Sequence, residues 1–216
     1  MGIDRKAYLQ PSELCDFDRS PQIREQTAQL IKGARNRQEK FQRIFNFVKE
    51  LPYALDDWDL TASQVLKKGR GMCSGKTNLL VAMLRSAGIP ARYRVYQILA
   101  DDVLMKFTDK NDNDVGRMAG LGDVRDHVDC EVWLGKWVDC DPGRDSAIER
   151  GLLKLGSSLE RQVVPDRQGR IRYQKLAVFD EWARQRQTRR NLRARRKTTF
   201  NKLNLGFEKV REYGRI

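Results

Sequence analysis

The chain has 216 residues, 40% of them hydrophobic and 33% charged, with a formal net charge of +13. That is enough for one domain with a genuine core, or a core domain with a modest extension. No apolar run approaches the roughly 20 residues a bilayer span needs. The start, MGIDRKAYLQPSELCDFD, lacks the apolar stretch of a secretory leader, so a cytoplasmic protein without membrane contact is expected.

In chain order, Ser20-Pro21 reads as an N-cap followed by proline at the first helical position. The helix after it places Ile23, Leu30 and Ile31 on one face and breaks near Gly33. A second helix, from about Gln38 to Glu50, carries Phe41, Ile44, Phe45 and Val48 at the spacing of a buried face. Leu51-Pro52 stops it, because a residue before proline is pushed out of the helical region. A short helix around Ser63 to Lys67 leads into Gly69-Arg70-Gly71-Met72-Cys73. From Cys73 a helix runs to about Ala87, burying Leu79, Leu80, Met83 and Leu84, and Gly88-Ile89-Pro90 closes it. A strand from Ala91 to Leu99 follows, then a long loop from Asp109 to Asp126, then strands from His127 to Leu134 and Trp137 to Asp141. A further hairpin is expected around Asp166-Arg167-Gln168-Gly169. Helices first and strands later predict an α+β fold. The expected organisation is a core over residues 1–160 and a basic extension over residues 161–216, a hairpin followed by an arginine-rich helix or arm.

Two motifs look informative and fail on spacing. CSGKT suggests a phosphate-binding loop, but the glycine that loop requires is Arg70, and the segment before it, SQVLKK, reads as helical and polar. Lys76 is then expected to be a solvated residue of the first helical turn. Asp109 to Asp114 suggests a calcium loop, but its sixth and twelfth positions hold Asp114 and Gly120 where glycine and glutamate are needed. The four cysteines, Cys15, Cys73, Cys130 and Cys140, show no CxxC spacing and the chain has one histidine, so neither a metal nor a cofactor is expected.

One cysteine differs in context. Cys73 opens a helix, where the helix dipole and the neighbouring Arg70 and Lys76 favour a thiolate. The other three read as small buried hydrophobes. His127, the one histidine, starts a strand whose alternation sets Val128, Cys130, Val132 and Leu134 on one face. His127, Asp129, Glu131 and Trp133 fall on the other. On the next strand Val138 and Cys140 oppose Trp137, Asp139 and Asp141. A two-residue turn would pair Cys130 with Asp141 and put acids on the apolar side. A three-residue turn pairs Trp133 with Trp137 and Cys130 with Cys140, bringing His127, Asp139 and Asp141 to one face. Since a one-residue slip inverts every side chain, the pattern selects the second register. Asp141 then lies nearer His127 than Asp139 does. A cysteine at a helix mouth, a histidine and an aspartate are the parts of a thiol nucleophile with its base and orienting acid.

The segments GRGMCSGKTNLLVAMLRSAGIPARYRV and HVDCEVWLGKWVDCDP resemble the transglutaminase-like superfamily, and the likeness covers roughly residues 7 to 145. The upstream YLQPSEL, the EKFQRIFNFV helix and ASQVLKKGRG fit the usual lead-in. The resemblance implies a papain-like core in which the cysteine helix packs on an antiparallel sheet. It also implies that Cys73 is the nucleophile, His127 the general base and Asp141 the orienting acid. Asp141 matches because it follows Trp137 by four residues and directly precedes Pro142. The chain departs from the pattern at Asp129, where a large residue is common, at Gly143, and at Gly75-Lys76, where acids are usual. No calcium site is recognisable, so calcium activation is not implied. The implied activity is acyl transfer on a protein or peptide amide through a thioester, hydrolysis being favoured over amine cross-linking. The backbone N–H of Cys73 would serve as one oxyanion donor, with Tyr53 and Trp58 as candidates for the second.

The alternative is a non-catalytic module of the same fold whose tail binds nucleic acid or an acidic protein. Between Glu181 and Glu208 there is no acid, while Arg184, Arg186, Arg189, Arg190, Arg193, Arg195, Arg196, Lys197 and Lys202 concentrate the charge there.

Overall fold

The structure, a computed structural model, describes residues 5–99, 124–191 and 196–215. The calcium-loop look-alike and most of the long loop before His127 lie outside the described residues. Four helices come first: α1 (Pro21–Ile31), α2 (Arg37–Glu50), α3 (Ala62–Lys68) and α4 (Cys73–Ser86). Each of the first three begins where a side chain accepts from the first turn, Ser20 from Ile23 N–H, Asn36 from Glu39 N–H and Thr61 from Gln64 N–H. The strands β1 (Ala91–Leu99), β2 (Val124–Trp133) and β3 (Trp137–Cys140) follow, then α5 (Ser146–Lys154), β4 (Gln174–Leu176), α6 (Asp180–Asn191) and α7 (Arg196–Arg215). The sheet is antiparallel throughout, in the order β3-β2-β1-β4. The fold class is α+β, with the cysteine-bearing helix packed on an antiparallel sheet, as the order of elements predicts.

The β2–β3 register is the one the alternation selects. Cys130 faces Cys140, Val132 faces Val138 and Trp133 faces Trp137. The turn is Leu134-Gly135-Lys136, with Gly135 at φ 93°, a conformation side chains resist. Cys15, Cys130 and Cys140 are buried, as expected of small hydrophobes, and burial pushes the Cys15 thiol up to about 11.

Helix α4 is the axis of the core. Every residue from Cys73 to Arg85 is buried, which is why its sequence shows only weak amphipathicity. Most of its polar side chains reach a carbonyl on a neighbouring segment, Ser74 Oγ being without a partner among the described residues. Thr77 donates to Val128 O at 3.2 Å, Asn78 to Leu60 O at 2.8 Å, and Arg85 to Ala91 O, Gln10 O and Ala177 O. The helix is thereby pinned to β2, to the loop before α3 and to β1.

Lys76 corrects the expectation of a solvated residue. It is 0% exposed, and its ammonium donates to Lys49 O at 2.9 Å and Leu51 O at 2.7 Å. Those carbonyls belong to the end of α2, where helical acceptors lack partners of their own. Burial lowers its pKa from 10.5 to about 7, opposed by Asp145 and reinforced by Lys49. The unfolded chain therefore binds this proton more tightly across that window, so stability rises with pH through it, at up to about 1.4 kcal/mol per pH unit. Urea unfolding of wild type and Lys76→Met at pH 7 and pH 9.5 is expected to show wild type gaining on the variant at the higher pH. A pH-independent difference would mean that burial leaves this lysine's proton affinity unchanged.

The C-terminal residues extend the packing. The turn at Asp166–Arg170 is closed by Asp166 N–H to Arg170 O at 2.9 Å, and the chain on either side lies along β1, at Val163 and at β4. Phe179 and Ala183 enter the main core, and Phe179 stacks on Tyr93 at 5.1 Å. Helix α7 packs Phe207 and Val210 on Ile148 and Leu152 of α5. Gly151 and Gly214 allow the close crossing, since a Cβ on either would fall 2.0 Å from a backbone oxygen of the opposite helix. Among the described residues no helix is long and apolar enough to cross a membrane.

Candidate active site

Cys73 is the first residue of α4, preceded by Met72 in extended conformation. Its approach is fixed by a short parallel bridge. Gly71 N–H donates to Pro52 O at 3.2 Å and Gly71 O accepts from Ala54 N–H at 3.1 Å. The cysteine is 6% exposed and His127 is 3% exposed. His127 Nε2 lies 3.0 Å from Asp141 Oδ2, just past the end of β3, where the selected register carries it. His127 and Asp141 are thus brought together, and Cys73 is close enough to act on the proton affinity of the imidazole. Asp139 is not part of the group; it is largely exposed and pairs with Arg94.

The electrostatics follow from that contact. Burial by itself would depress the imidazole, but the Asp141 carboxylate and hydrogen bonds with Asp141 and Cys73 outweigh it against an opposing Arg161, and His127 is raised to about 9. Burial would raise Asp141, yet the imidazolium and the Arg161 guanidinium hold it well below the usual carboxylate range. The imidazole therefore keeps its proton at neutral pH. Replacing Asp141 by asparagine leaves burial and Arg161, which disfavour the imidazolium, against only the smaller support of Cys73. With one histidine in the chain, NMR reads this without assignment. The imidazole C–H signal is expected to titrate near 9 in wild type. In Asp141→Asn it is expected below the ordinary value of about 6.5. Equal titration in the two proteins would show that the carboxylate is not what holds the proton.

Further residues complete the site, and of these Tyr96 and Arg161 carried no signal in the sequence. Tyr96 faces His127 across the β1–β2 pair, and its ring meets the imidazole edge-on at 5.2 Å. Asp129, at the position where the family favours a bulky residue, accepts from Tyr96 Oη at 2.8 Å. It also accepts from Arg94 at 2.8 and 2.7 Å. Arg161 donates from Nε to Asp141 Oδ2 at 2.5 Å, and Gly143 N–H donates to Asp141 Oδ1 at 2.7 Å. The ligand atoms of His127, Asp129 and Asp141 lie within 4.8 Å of one another, as a cation site would require. Their oxygens already accept from Arg94, Tyr96, Arg161 and Gly143, so a cation could bind only by displacing two guanidinium groups.

Of the oxyanion candidates, Tyr53 lies at the bridge to Gly71, with its ring against Phe207 at 5.2 Å. Trp58 packs on Trp182 at 5.4 Å. In the tail, Arg184 pairs with Glu13 at 3.2 Å and Arg186 with Asp126 at 3.0 Å.

Residues 24–142, more than half of the chain, match the family model of the transglutaminase-like superfamily, and the match spans Cys73, His127 and Asp141. The chain belongs to the transglutaminase-like superfamily. Its α+β core is that superfamily's papain-like fold. Two solved structures are similar to this transglutaminase-like chain. One is described as a "putative cysteine protease" from Cytophaga hutchinsonii, with TM-score 0.47, 19% identity, and coverage of 66% of this chain and 43% of that one. The other is described as a "putative protease" from Parabacteroides distasonis, with TM-score 0.35, 21% identity, and coverage of 56% and 24%. The chain thus matches less than half the length of either. No curated protein matches this sequence.

Proposed function

We propose that this member of the transglutaminase-like superfamily is a cysteine-dependent acyl-transfer enzyme acting on protein or peptide amides. Cys73 is the nucleophile, His127 the general base and acid, and Asp141 the residue that orients and charges the imidazole. The observation that carries the reading is the His127–Asp141 contact at 3.0 Å, with Cys73 at the mouth of α4 among the groups that raise the imidazole's proton affinity. Superfamily membership supports cysteine-based catalysis in general.

His127 takes the Cys73 thiol proton, and the sulfur adds to the amide carbonyl, forming a carbon–sulfur bond as the carbonyl π electrons move to oxygen. The Cys73 N–H, one of the donors a helix start leaves unpaired, stabilises that oxyanion. Collapse breaks the carbon–nitrogen bond, and the His127 imidazolium protonates the leaving amine. Neutral His127 then takes a proton from water, which adds to the thioester, and the acid product leaves as the thiol is restored. An amine in place of water would give a cross-linked amide. Hydrolysis is the favoured outcome.

Peptides containing glutamine and blocked at both ends, incubated with and without excess primary alkylamine and followed by mass spectrometry, test the reading. Cleaved or deamidated product that is insensitive to amine supports a hydrolase, and accumulating amine adduct supports cross-linking. A broad peptide panel giving neither product, with Cys73 inert to alkylation, would contradict acyl transfer and bring forward the non-catalytic module. Steep salt dependence of binding to nucleic acid through Arg184–Lys202 would then be the signature sought.

A further inference from the structure

Beside Asp141 lies a pocket of about 390 Å³, lined by Arg94, Arg144, Arg161, Tyr96 and Tyr173 among others. Its acids are already committed. Asp129 and Asp139 bond Arg94, Glu149 bonds Lys49 at 2.6 Å, and Asp141 bonds His127 and Arg161. Arg161 is different. Its side chain is 18% exposed, and its one hydrogen bond among the described residues runs from Nε to Asp141. The two Nη groups, a planar fork of donors, have no acceptor there.

The fork is held in place rather than left to wander. On one side Nε is tied to Asp141. On the other, the backbone around it is fixed to β1 by Leu99 N–H to Gln162 O and Val164 N–H to Gln97 O, both 2.9 Å. Gly143 completes the fit, because a Cβ there would stand 3.0 Å from Arg161 Nη2. A mostly buried guanidinium that is fixed through Nε and lines a cavity, with no acceptor for either Nη among the described residues, matches a carboxylate in shape and charge. It also stands one side chain from His127, since Asp141 Oδ2 meets both His127 Nε2 and Arg161 Nε.

We propose that Arg161 is a substrate-binding residue whose Nη fork receives a carboxylate placed next to the scissile amide, so that the enzyme selects acidic acyl substrates. This rests on Cys73 being the nucleophile. The carboxylate could belong to an acidic side chain or to a peptide C-terminus, and both present the same group to the fork.

The test compares two alkylating agents of one chemistry on the whole protein, iodoacetate with a carboxylate and iodoacetamide without. Taking the ratio of their rates at Cys73 cancels the reactivity of the sulfur itself. In Arg161→Gln the iodoacetate-to-iodoacetamide ratio is expected to fall about tenfold or more, as loss of a charge-assisted carboxylate contact implies. Arg161→Lys, which keeps the charge and loses the fork, is expected to fall between. An unchanged ratio in Arg161→Gln would overturn the proposal while leaving the nucleophile intact. Failure of Cys73 to react with either agent would instead overturn the nucleophile reading. A second measurement needs no variant. N-acetylglycine, with a terminal carboxylate, and N-acetylglutamic acid α-amide, with a side-chain one, are tested for protection of wild-type Cys73 against iodoacetamide. Protection by either, absent with N-acetylglycinamide, supports the site, and the stronger protector names the source. Equal effects of all three would overturn it.

Discussion

Replacing Cys73 by alanine is expected to reduce amide turnover on the order of 10⁴-fold or more, to background, while barely disturbing the fold. Residues that act as one unit in nucleophilic catalysis lose nearly everything when the attacking atom is removed. The structural cost is small because the side chain is small and sits at the edge of the core, 6% exposed at the first residue of α4. A loss of about 1 kcal/mol covers a missing sulfur. Wild-type turnover in the alanine variant would move the chemistry elsewhere. Loss of turnover together with a large fall in melting temperature would mean that the residue is structural. The two readouts therefore have to be taken on the same preparation.

Arg211→Ala is expected to have the largest effect on stability. Arg211 is 2% exposed and donates to Asp145 from Nε at 3.0 Å and from Nη2 at 2.8 Å, and it also reaches Tyr53 O. Asp145 accepts from Tyr53 N–H at 2.8 Å and caps α5 through Ile148 N–H at 3.0 Å. This one ion pair therefore holds both backbone groups of Tyr53, the residue bridged to Gly71 and so to the approach to Cys73. It also anchors the loop that begins at Asp141. Removing one partner strands a buried charge and costs about 3–5 kcal/mol. For a chain of this size that lowers the melting temperature by roughly 10 °C. Arg211→Met with Asp145→Leu is expected to lose less than the sum of the single changes, because no buried charge is left unpaired, Arg211's other partner Glu208 being exposed. A single variant melting within about 2 °C of wild type would show that the pair contributes little. Slower alkylation of Cys73 in Arg211→Ala, measured well below its melting temperature, would connect the C-terminal helix to the site.

The parts of the site that were legible are those governed by short-range rules. Period-two alternation on β2 and β3 decided between a two-residue and a three-residue turn, placed Cys130 opposite Cys140 and carried Asp141 to His127. Glycine, a helix start and a leucine-rich run marked Cys73. Other parts depend on contacts that no local pattern encodes. Lys76 read as solvated because a lysine in a first turn normally is. Its burial follows from α4 being enclosed on all sides and from orphan carbonyls at the end of α2. The pairing of Tyr96 with His127 could not be read because a long connection, not a tight turn, joins their strands, leaving the register open. Arg161 lies in irregular chain without periodicity. Arg211 meets Asp145 across 66 positions. An apolar stripe was present on α7 at Leu203, Phe207 and Val210, spaced by four and three, but the basic run before it dominated the composition.

The proposed activation of Cys73 by His127 is tested most directly by the rate of Cys73 alkylation by iodoacetamide against pH, in wild type and His127→Ala, with labelled sites mapped by mass spectrometry. Rapid labelling at Cys73 well below pH 8, lost in the variant, is the predicted result and would establish an ion-paired nucleophile. Slow labelling that follows an ordinary thiol profile in both proteins would contradict it.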